Sequence, residues 1–489
     1  MNEIGDLLVR CGCRLTVALE RLDRTGLGFV LVVDDQGVLR GTLTDGDVRR
    51  ALLRGASLKS PVDEVMHRDC ITLPVDAPSE RISATIRGLI HFVPLVNARG
   101  QPVDYATRGR HRRVPVLEPL LDGNEAAYVQ ECIESGWVSS QGRFVREFER
   151  MIAAFHGVEH ALAVANGTVA LHLALVSLGI GPGDEVIVPD LTFAATASAV
   201  VHCGATPVFV DVEPDTWTIG ARAIERALTD RTRAVVPVHL YGHPCDMDEI
   251  LELAGRFDLV VVEDAAEAFG ARVRGRLVGS LGDAACHSFF GNKTLTTGEG
   301  GAVLFRDRAP YERAQMLRDH GMSRERRYWH LEPGFNYRLT NLQAAVGVAQ
   351  LERVETILGY KSRVALRYDR QLSRVDGISL PPRAEWAAPS YWLYTIRLTE
   401  AAGLSRDALA DRLVLNGIET RPAFSPLHAM PAFARYGGDE FPVSELISQT
   451  GLSLPSAVTL QEEDVDEIAA RVTSVLQVRR MNIGAPAGE

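Results

Sequence analysis

After Arg113 the chain alternates short apolar runs with stretches of helical spacing, and this alternation narrows the fold more than any other feature. The runs predict strands at Glu185–Pro189, Pro207–Val212, Ala234–His239, Leu259–Glu263, Ala284–Phe289 and Gly301–Phe305. Helices are predicted between them, at Ala221–Leu228 and Met247–Arg256 among others. The strands are rich in Val and Ile on both faces, and their connections are long enough to hold helices. A largely parallel sheet covered on each side satisfies both properties, which places the chain in the α/β class. Ligands of such sheets gather at the carboxyl ends of strands, where Asp190, Asp264 and Ser288 fall. From about Tyr360 the rhythm changes. A strand at Tyr391–Leu398 and helices at Arg406–Leu415 and Glu462–Leu476 predict a smaller α+β domain.

The N-terminal part repeats itself. A shift of 63 residues aligns Gly28-Phe29-Val30-Leu31-Val32-Val33 with His91-Phe92-Val93-Pro94-Leu95-Val96, Gly37 with Gly100, Thr44 with Thr107 and Gly46 with Gly109. Each copy reads as helix, strand, tight turn, strand and at least the start of a helix. Gly41-Thr42-Leu43-Thr44-Asp45-Gly46-Asp47 resembles the signature of CBS domains, which pair in tandem and often hold an adenine nucleotide. The resemblance implies that Thr44 and Asp47 hold phosphate and ribose. The second copy has Arg110 in place of Asp47 and Arg108 in place of Asp45, so at most one intact nucleotide site is expected. The alternative is a degenerate pair used for packing, since a fold does not guarantee a working site. Domains are therefore expected at 1–112, 113–360 and 361–489.

A net charge of −11, with only a slight basic excess before residue 114, argues against nucleic acid as a partner. Arg108, Arg110, Arg112 and Arg113 read as a solvated or docking segment. No apolar run reaches membrane-spanning length, and Met1-Asn2-Glu3-Ile4-Gly5-Asp6 lacks the form of a signal peptide. The seven cysteines are scattered without a CxxC pair, so no metal site and a reduced, cytoplasmic setting are expected.

The chemistry centres on Lys293, in Ser288-Phe289-Phe290-Gly291-Asn292-Lys293-Thr294-Leu295-Thr296-Thr297-Gly298-Glu299-Gly300-Gly301. A lysine between an apolar strand and a glycine-rich loop loses hydration, which disfavours its ammonium form and frees the amine as a nucleophile. Asp264 follows another strand and can pair with a pyridine nitrogen, keeping it protonated. Asn166-Gly167-Thr168 opens an apolar helix, Val169–Leu178, whose amides suit a phosphate. Gly167 permits close backbone approach, and Ser288 can add a hydroxyl. Phe193, after the strand ending near Pro189, can stack on a flat ring. A Schiff-base lysine, an acid and a phosphate cradle are the minimum equipment for pyridoxal 5′-phosphate. Each residue alone is more often cap, core or surface; their order is the signal. Lys293-Thr294 matches the end of a P-loop, but Asn292 occupies its required glycine. Gly179, Gly181 and Gly183 precede a strand, whereas a dinucleotide fingerprint follows one.

Residues from about 114 to 480 resemble the DegT/DnrJ/EryC1/StrS sugar aminotransferases. The strings that carry the resemblance are Gly136-Trp137-Val138-Ser139-Ser140-Gln141-Gly142, Asn166-Gly167-Thr168-Val169-Ala170-Leu171-His172 and His239-Leu240-Tyr241-Gly242-His243-Pro244-Cys245-Asp246-Met247. The Lys293 loop, Gly321 to His330 and Phe335-Asn336-Tyr337-Arg338-Leu339-Thr340 add to it. The resemblance implies a fold-type I, pyridoxal phosphate-dependent large domain, a small C-terminal domain and a preceding tandem CBS module. It implies that Lys293 is the Schiff-base lysine and proton shuttle, Asp264 the pyridinium partner, Phe193 the stacking ring and Gly167, Thr168 and Ser288 the phosphate site. Glu267 is expected beside the ring oxygen or the lysine. Asn336 is expected to reach the phosphate of a neighbouring subunit, making a homodimer the smallest complete enzyme. Trp137, Ser139, Arg326, Tyr328 and His330 are implied as nucleotide-sugar contacts. The substrate implied is a nucleotide-linked 4-keto-6-deoxy sugar, GDP-4-keto-6-deoxy-mannose in first place, with L-glutamate as amino donor. A regulatory nucleotide at the CBS pair is implied as a further partner, and polysaccharide biosynthesis as the setting. A sugar dehydratase of the same family has histidine in place of the lysine, so Lys293 argues against it. A non-catalytic nucleotide or sugar sensor is the rival from another class.

Overall fold

A computed structural model describes residues 4–86, 90–108, 110, 113–438 and 440–483. The chain divides into two compact units. The first is Met1–Val114 with Asp411–Glu419, and the second is Pro115–Ala410 with Thr420–Glu489.

The first unit holds two three-stranded sheets of one design. Strands β1 (Leu8–Arg10), β2 (Phe29–Val33) and β3 (Leu39–Thr44) form one; β4 (Leu73–Pro74), β5 (Phe92–Val96) and β6 (Pro102–Thr107) form the other. In each, the first pair is parallel and the second antiparallel. The antiparallel pairs turn at Gly37 and Gly100, both left-handed at φ 78° and 74°, where any side chain would be strained. Phe29 and Phe92, equivalent in the repeat, stack with ring centroids 3.9 Å apart. The copies diverge after their third strands. The first continues into helix Asp45–Leu53, closed by a Thr44–Asp47 capping box. No helix follows β6 among the described residues, which corrects the expectation of one there. Instead Val114 bridges to Ile418, its N–H donating to Gly417 O at 2.8 Å. Gly109 and Arg112 lie outside the described residues.

The second unit is built on a seven-stranded sheet. Its strands are β7 (His160–Val164), β8 (Glu185–Pro189), β9 (Thr206–Val210), β10 (Thr232–Val235), β11 (Val260–Asp264), β14 (Ala284–Ser288) and β15 (Gly301–Phe305), with β12 (Arg272–Val273) and β13 (Arg276–Leu277) in a side ribbon. The order is β7-β15-β14-β11-β10-β8-β9. Only β15 runs against the others, so the sheet is mostly parallel. The helix Gly167–Ser177 is apolar all round, and Leu171, Leu173, Ala174 and Leu175 are buried, as expected of a helix packed on every side. Burying each such leucine contributes about 1.5–3 kcal/mol.

Two strand boundaries depart from expectation. β10 stops at Val235 rather than His239, because Pro237 has no N–H to continue the ladder. Its carbonyl still accepts from Asp264 N at 2.9 Å, which keeps the segment extended beside β11. The strand expected from Tyr391 begins at Tyr394, since Tyr391 has a left-handed φ of 52°. A four-stranded antiparallel sheet completes the unit, ordered β16 (Ile378–Ser379), β18 (Tyr394–Leu398), β20 (Gly451–Leu454) and β19 (Arg421–Pro422). The short strand β17 (Ala387–Ala388) pairs with β12. Residue 360 lies within one continuous helix, Val354–Leu372.

Candidate active site

The carboxyl ends of β11 and β14 and the start of helix Gly167–Ser177 surround a cavity of about 510 Å³. Adjacent strand residues face opposite sides of a sheet, and Glu263 and Asp264 show what that does here. Glu263 is fully buried behind the sheet and accepts from the N–H groups of Gly279, Leu281 and Gly282 at 2.7–2.8 Å and from His239 Nε2 at 3.1 Å. Cys245 N–H donates to His239 Nδ1 at 3.0 Å, which leaves Nε2 to carry the ring proton. This buried clasp fixes the end of β11. Asp264, on the other face, lines the cavity.

Burial raises the Asp264 carboxyl above its ordinary range. The Thr196 hydroxyl, donating to Oδ2 at 2.8 Å, the Ala266 N–H and the charge of Lys293 oppose that rise. Asp264 has no ion-pair partner within the described residues, so a cationic N–H supplied by a ligand would complete it.

Lys293 follows β14 by a tight turn, its N–H donating to Phe290 O at 2.9 Å. The side chain is 13% exposed. Nζ stands 3.7 Å from the centroid of Trp392 and 3.9 Å from Glu267 Oε1. Burial lowers the ammonium pKa, against the attraction of Glu267 and Asp264. Burial likewise pushes the Glu267 carboxyl up to about 7. The other oxygen of Glu267 accepts from Tyr241 N–H at 2.9 Å, which fixes the carboxylate. Trp392 is held in turn by its Nε1–H, which donates to Asn292 O at 2.8 Å.

The cradle lies at the helix start. Asn166 Oδ1 caps Val169 N–H at 3.0 Å, and the free N–H groups of the first turn form an anion site with the macrodipole. A Cβ on Gly167 would stand 2.8 Å from Ser288 Cβ; glycine is the residue that lets the helix start approach β14. Lysine, isolated acid and anion cradle around one cavity fit pyridoxal phosphate.

The structure thus brings together Lys293, Asp264, Glu267, Gly167, Thr168, Ser288 and Phe193. Phe193 is 58% exposed, its ring 5.9 Å from that of Phe424. Asn336, Trp137, Ser139, Arg326, Tyr328 and His330 do not line this cavity; all six are exposed. Arg326 lies over the Trp329 ring, and His330 Nδ1 bonds His320 O. Sequence reasoning missed Thr196, Trp392, Arg421 and Phe424, which also line the cavity. Thr196 had a signal, three residues beyond Phe193 at a helix start; the others arrive by tertiary folding.

In the first unit Thr44 and Asp47 line a cleft of about 750 Å³. They bond to each other, Thr44 Oγ1–H donating to Asp47 Oδ2 at 2.7 Å, while Asp47 Oδ1 pairs with Arg50. Arg110, at the equivalent place in the second copy, pairs with Asp104 at 2.6 Å and lies over the Tyr105 ring.

The family model for the DegT/DnrJ/EryC1/StrS aminotransferases matches residues 119–473, and the chain belongs to that family. The CBS domain model matches residues 9–54. Among curated relatives, the GDP-perosamine synthase of Caulobacter vibrioides is 50% identical over 365 residues, 74% of this chain and 98% of that protein. The GDP-perosamine synthase of Escherichia coli O157:H7 is 44% identical over 355 residues, 72% of this chain and 95% of the relative. The crystal structure of the aminotransferase TlmJ from Streptoalloteichus hindustanus superposes with a TM-score of 0.71 at 35% identity, covering 75% of this chain and 100% of that one.

Proposed function

We propose that this chain transfers the amino group of L-glutamate to C4 of GDP-4-keto-6-deoxy-mannose, yielding GDP-perosamine and 2-oxoglutarate, with pyridoxal 5′-phosphate as cofactor. The observation that carries the reading is Lys293, a buried amine between a carboxylate whose pKa burial raises and an aromatic face. The choice of sugar rests on the relatives named GDP-perosamine synthase.

When bound, pyridoxal phosphate supplies an electron sink that makes a carbon-bound proton removable. The chain supplies the rest. Lys293 attaches the cofactor and Nζ carries the proton between carbon atoms. Glu267, 3.9 Å away, exchanges protons with Nζ, because a carboxyl near neutrality is a competent acid and base at working pH. Asp264 holds a cationic ring N–H. Gly167, Thr168 and Ser288 hold phosphate, and Phe193 covers the ring. Asn336 completes the site of a second subunit in a homodimer. Trp137, Ser139, Arg326, Tyr328 and His330 meet the nucleotide sugar, and a nucleotide at Thr44 and Asp47 regulates turnover in the cytoplasm.

Purified protein incubated with glutamate and a panel of nucleotide-linked keto sugars tests this. The GDP-linked 4-keto sugar is expected to give a 4-amino product by mass and NMR. Amination of a differently linked sugar alone would overturn the substrate. Borohydride trapping is expected to label the Lys293 peptide, and a label elsewhere would overturn the mechanism.

A further inference from the structure

Two parallel strands of the large sheet, β8 and β9, are each followed by an aspartate that grips the last part of the chain. Asp211, after β9, accepts from Val443 N–H and Ser444 N–H at 2.9 Å and from the Ser444 hydroxyl at 2.6 Å, at the start of helix Pro442–Thr450. Asp190, after β8, is fully buried. Its Oδ1 accepts from His428 N–H at 2.8 Å, its Oδ2 faces His428 Nδ1 at 2.7 Å, and its carbonyl accepts from Leu427 N–H at 2.8 Å. The His428 ring stacks on Phe441 with centroids 4.7 Å apart, and its Nε2 stands 3.4 Å from Glu445 Oε1. Either grip supplies the donors that a buried carboxylate requires. What separates them is the segment each one holds.

Asp190 opens the turn that carries Phe193. Within that turn Leu191 is buried, and Thr192 Oγ1 lies 3.0 Å from Thr196 Oγ1, the hydroxyl that donates to Asp264. Phe193 is too exposed to be fixed by packing of its own ring, so the backbone on either side sets its place on the cavity wall. Phe424 precedes His428 by four residues and lines the same cavity, and its N–H donates to the Tyr241 hydroxyl at 2.8 Å. The rings of Phe193 and Phe424 meet 5.9 Å apart, each a few residues from one jaw of a single clasp. An imidazole against a carboxylate has a defined length and direction, which apolar packing lacks. The clasp therefore sets the spacing of the two rings.

We propose that His428, acting through Asp190, is a positioning residue that keeps Phe193 and Phe424 in register across the cofactor's place. This rests on the pyridoxal phosphate reading of the cavity but not on the identity of the sugar. The experiment titrates wild type, His428→Phe, His428→Asn and Ser444→Ala with pyridoxal phosphate by absorbance, and records visible circular dichroism of the bound cofactor and melting of the cofactor-free proteins. His428→Phe keeps a ring on Phe441 but leaves Asp190 Oδ2 unpaired, a change worth roughly 5- to 150-fold in an equilibrium. Cofactor affinity is expected to fall about fivefold or more, with a weakened dichroic band. His428→Asn places an amide nitrogen near the site of Nδ1 and is expected to recover most of both losses. Ser444→Ala loosens the neighbouring grip on Asp211, so its melting temperature is expected to fall while affinity and band hold. A His428→Phe protein that melts lower yet keeps wild-type affinity and band would overturn the proposal and leave the clasp a staple. Should His428→Phe not fold, Phe441→Leu, which takes away the ring beneath His428, is expected to weaken the band and the affinity about twofold or more, and no change in either would overturn it. Wild type that takes up no pyridoxal phosphate would refute the reading of the cavity itself, and the clasp's role with it.

Discussion

Replacing Gly167 with alanine tests the cradle directly. The new Cβ would lie 2.8 Å from Ser288 Cβ and 3.2 Å from its Oγ, whereas non-bonded carbons settle at about 3.5–4.0 Å. The helix start and the end of β14 must therefore part by roughly 0.7–1.2 Å. Overpacking on this scale costs about 1–3 kcal/mol, and the same movement carries the first-turn amides away from a phosphate. Pyridoxal phosphate affinity, read by absorbance titration, is expected to fall about tenfold or more, at ~1.4 kcal/mol per decade. The melting temperature of cofactor-free protein is expected to fall with it. Two further variants separate this clash from a general effect of alanine. Gly255 lies in a helix, and a Cβ added there would meet nothing within 4 Å, so Gly255→Ala is expected to stabilise by ~0.4–1 kcal/mol. Ser288→Gly removes the clashing carbon, so the double variant is expected to melt above Gly167→Ala, with a coupling of about 1 kcal/mol or more. Strictly additive changes in melting temperature would refute the close approach.

Two other outcomes follow from buried charges. Thr196→Val removes the hydroxyl that donates to Asp264 at 2.8 Å; losing a donor to a carboxylate raises its pKa, so the acid limb of the turnover profile is expected to move to higher pH, and an unmoved limb counts against an ionised Asp264. Lys361 is buried, donates to Trp392 O and Ser456 O at 2.8 and 2.5 Å, and is pushed by burial from 10.5 to about 7; because the unfolded chain binds this proton more tightly, Lys361 opposes folding most at low pH and the opposition fades as pH rises from about 7 toward 10.5. Wild type should gain roughly 2 kcal/mol on Lys361→Met between pH 7 and pH 9, read by thermal melting, and a constant difference would show that the two carbonyls hold the ammonium charged throughout.

Much of the site was legible because its chemistry lies in contiguous strings. Lys293, Ser288 and the glycine-rich loop are neighbours in sequence, and Asn166 to Thr168 announce a helix start and an anion site together. The parallel sheet was legible from the composition of its strands. What escaped depends on long-range packing. Trp392 reaches Lys293 through a left-handed turn at Tyr391, and Arg421 lies on a two-residue strand, too short to leave a pattern. Pro237 shortened β10 by a backbone rule visible in the sequence but overlooked within an apolar run. The continuity of helix Val354–Leu372 was hidden because its buried residues, Ile357, Lys361, Val364 and Tyr368, include a charge at a core position.

That buried charge and Lys293 belong to a single arrangement. Lys361 holds the carbonyl of Trp392, Trp392 Nε1–H holds Asn292 O, and the indole face meets Nζ of Lys293. In the proton-carrying role proposed above, Lys293 must accept its proton and release it within one turnover. An apolar pocket alone would prevent acceptance, and carboxylates alone would prevent release. Here burial and Arg421 act toward the free amine, while Glu267 and Asp264 act toward the ammonium. The indole face adds about 0.5–2 kcal/mol to the ammonium side, enough to shift the balance without deciding it. Burial is the largest of these effects and the carboxylates oppose it; the effects reach Lys293 from β11, the turn before Trp392 and β19. No single segment of sequence could encode that balance; the fold assembles it.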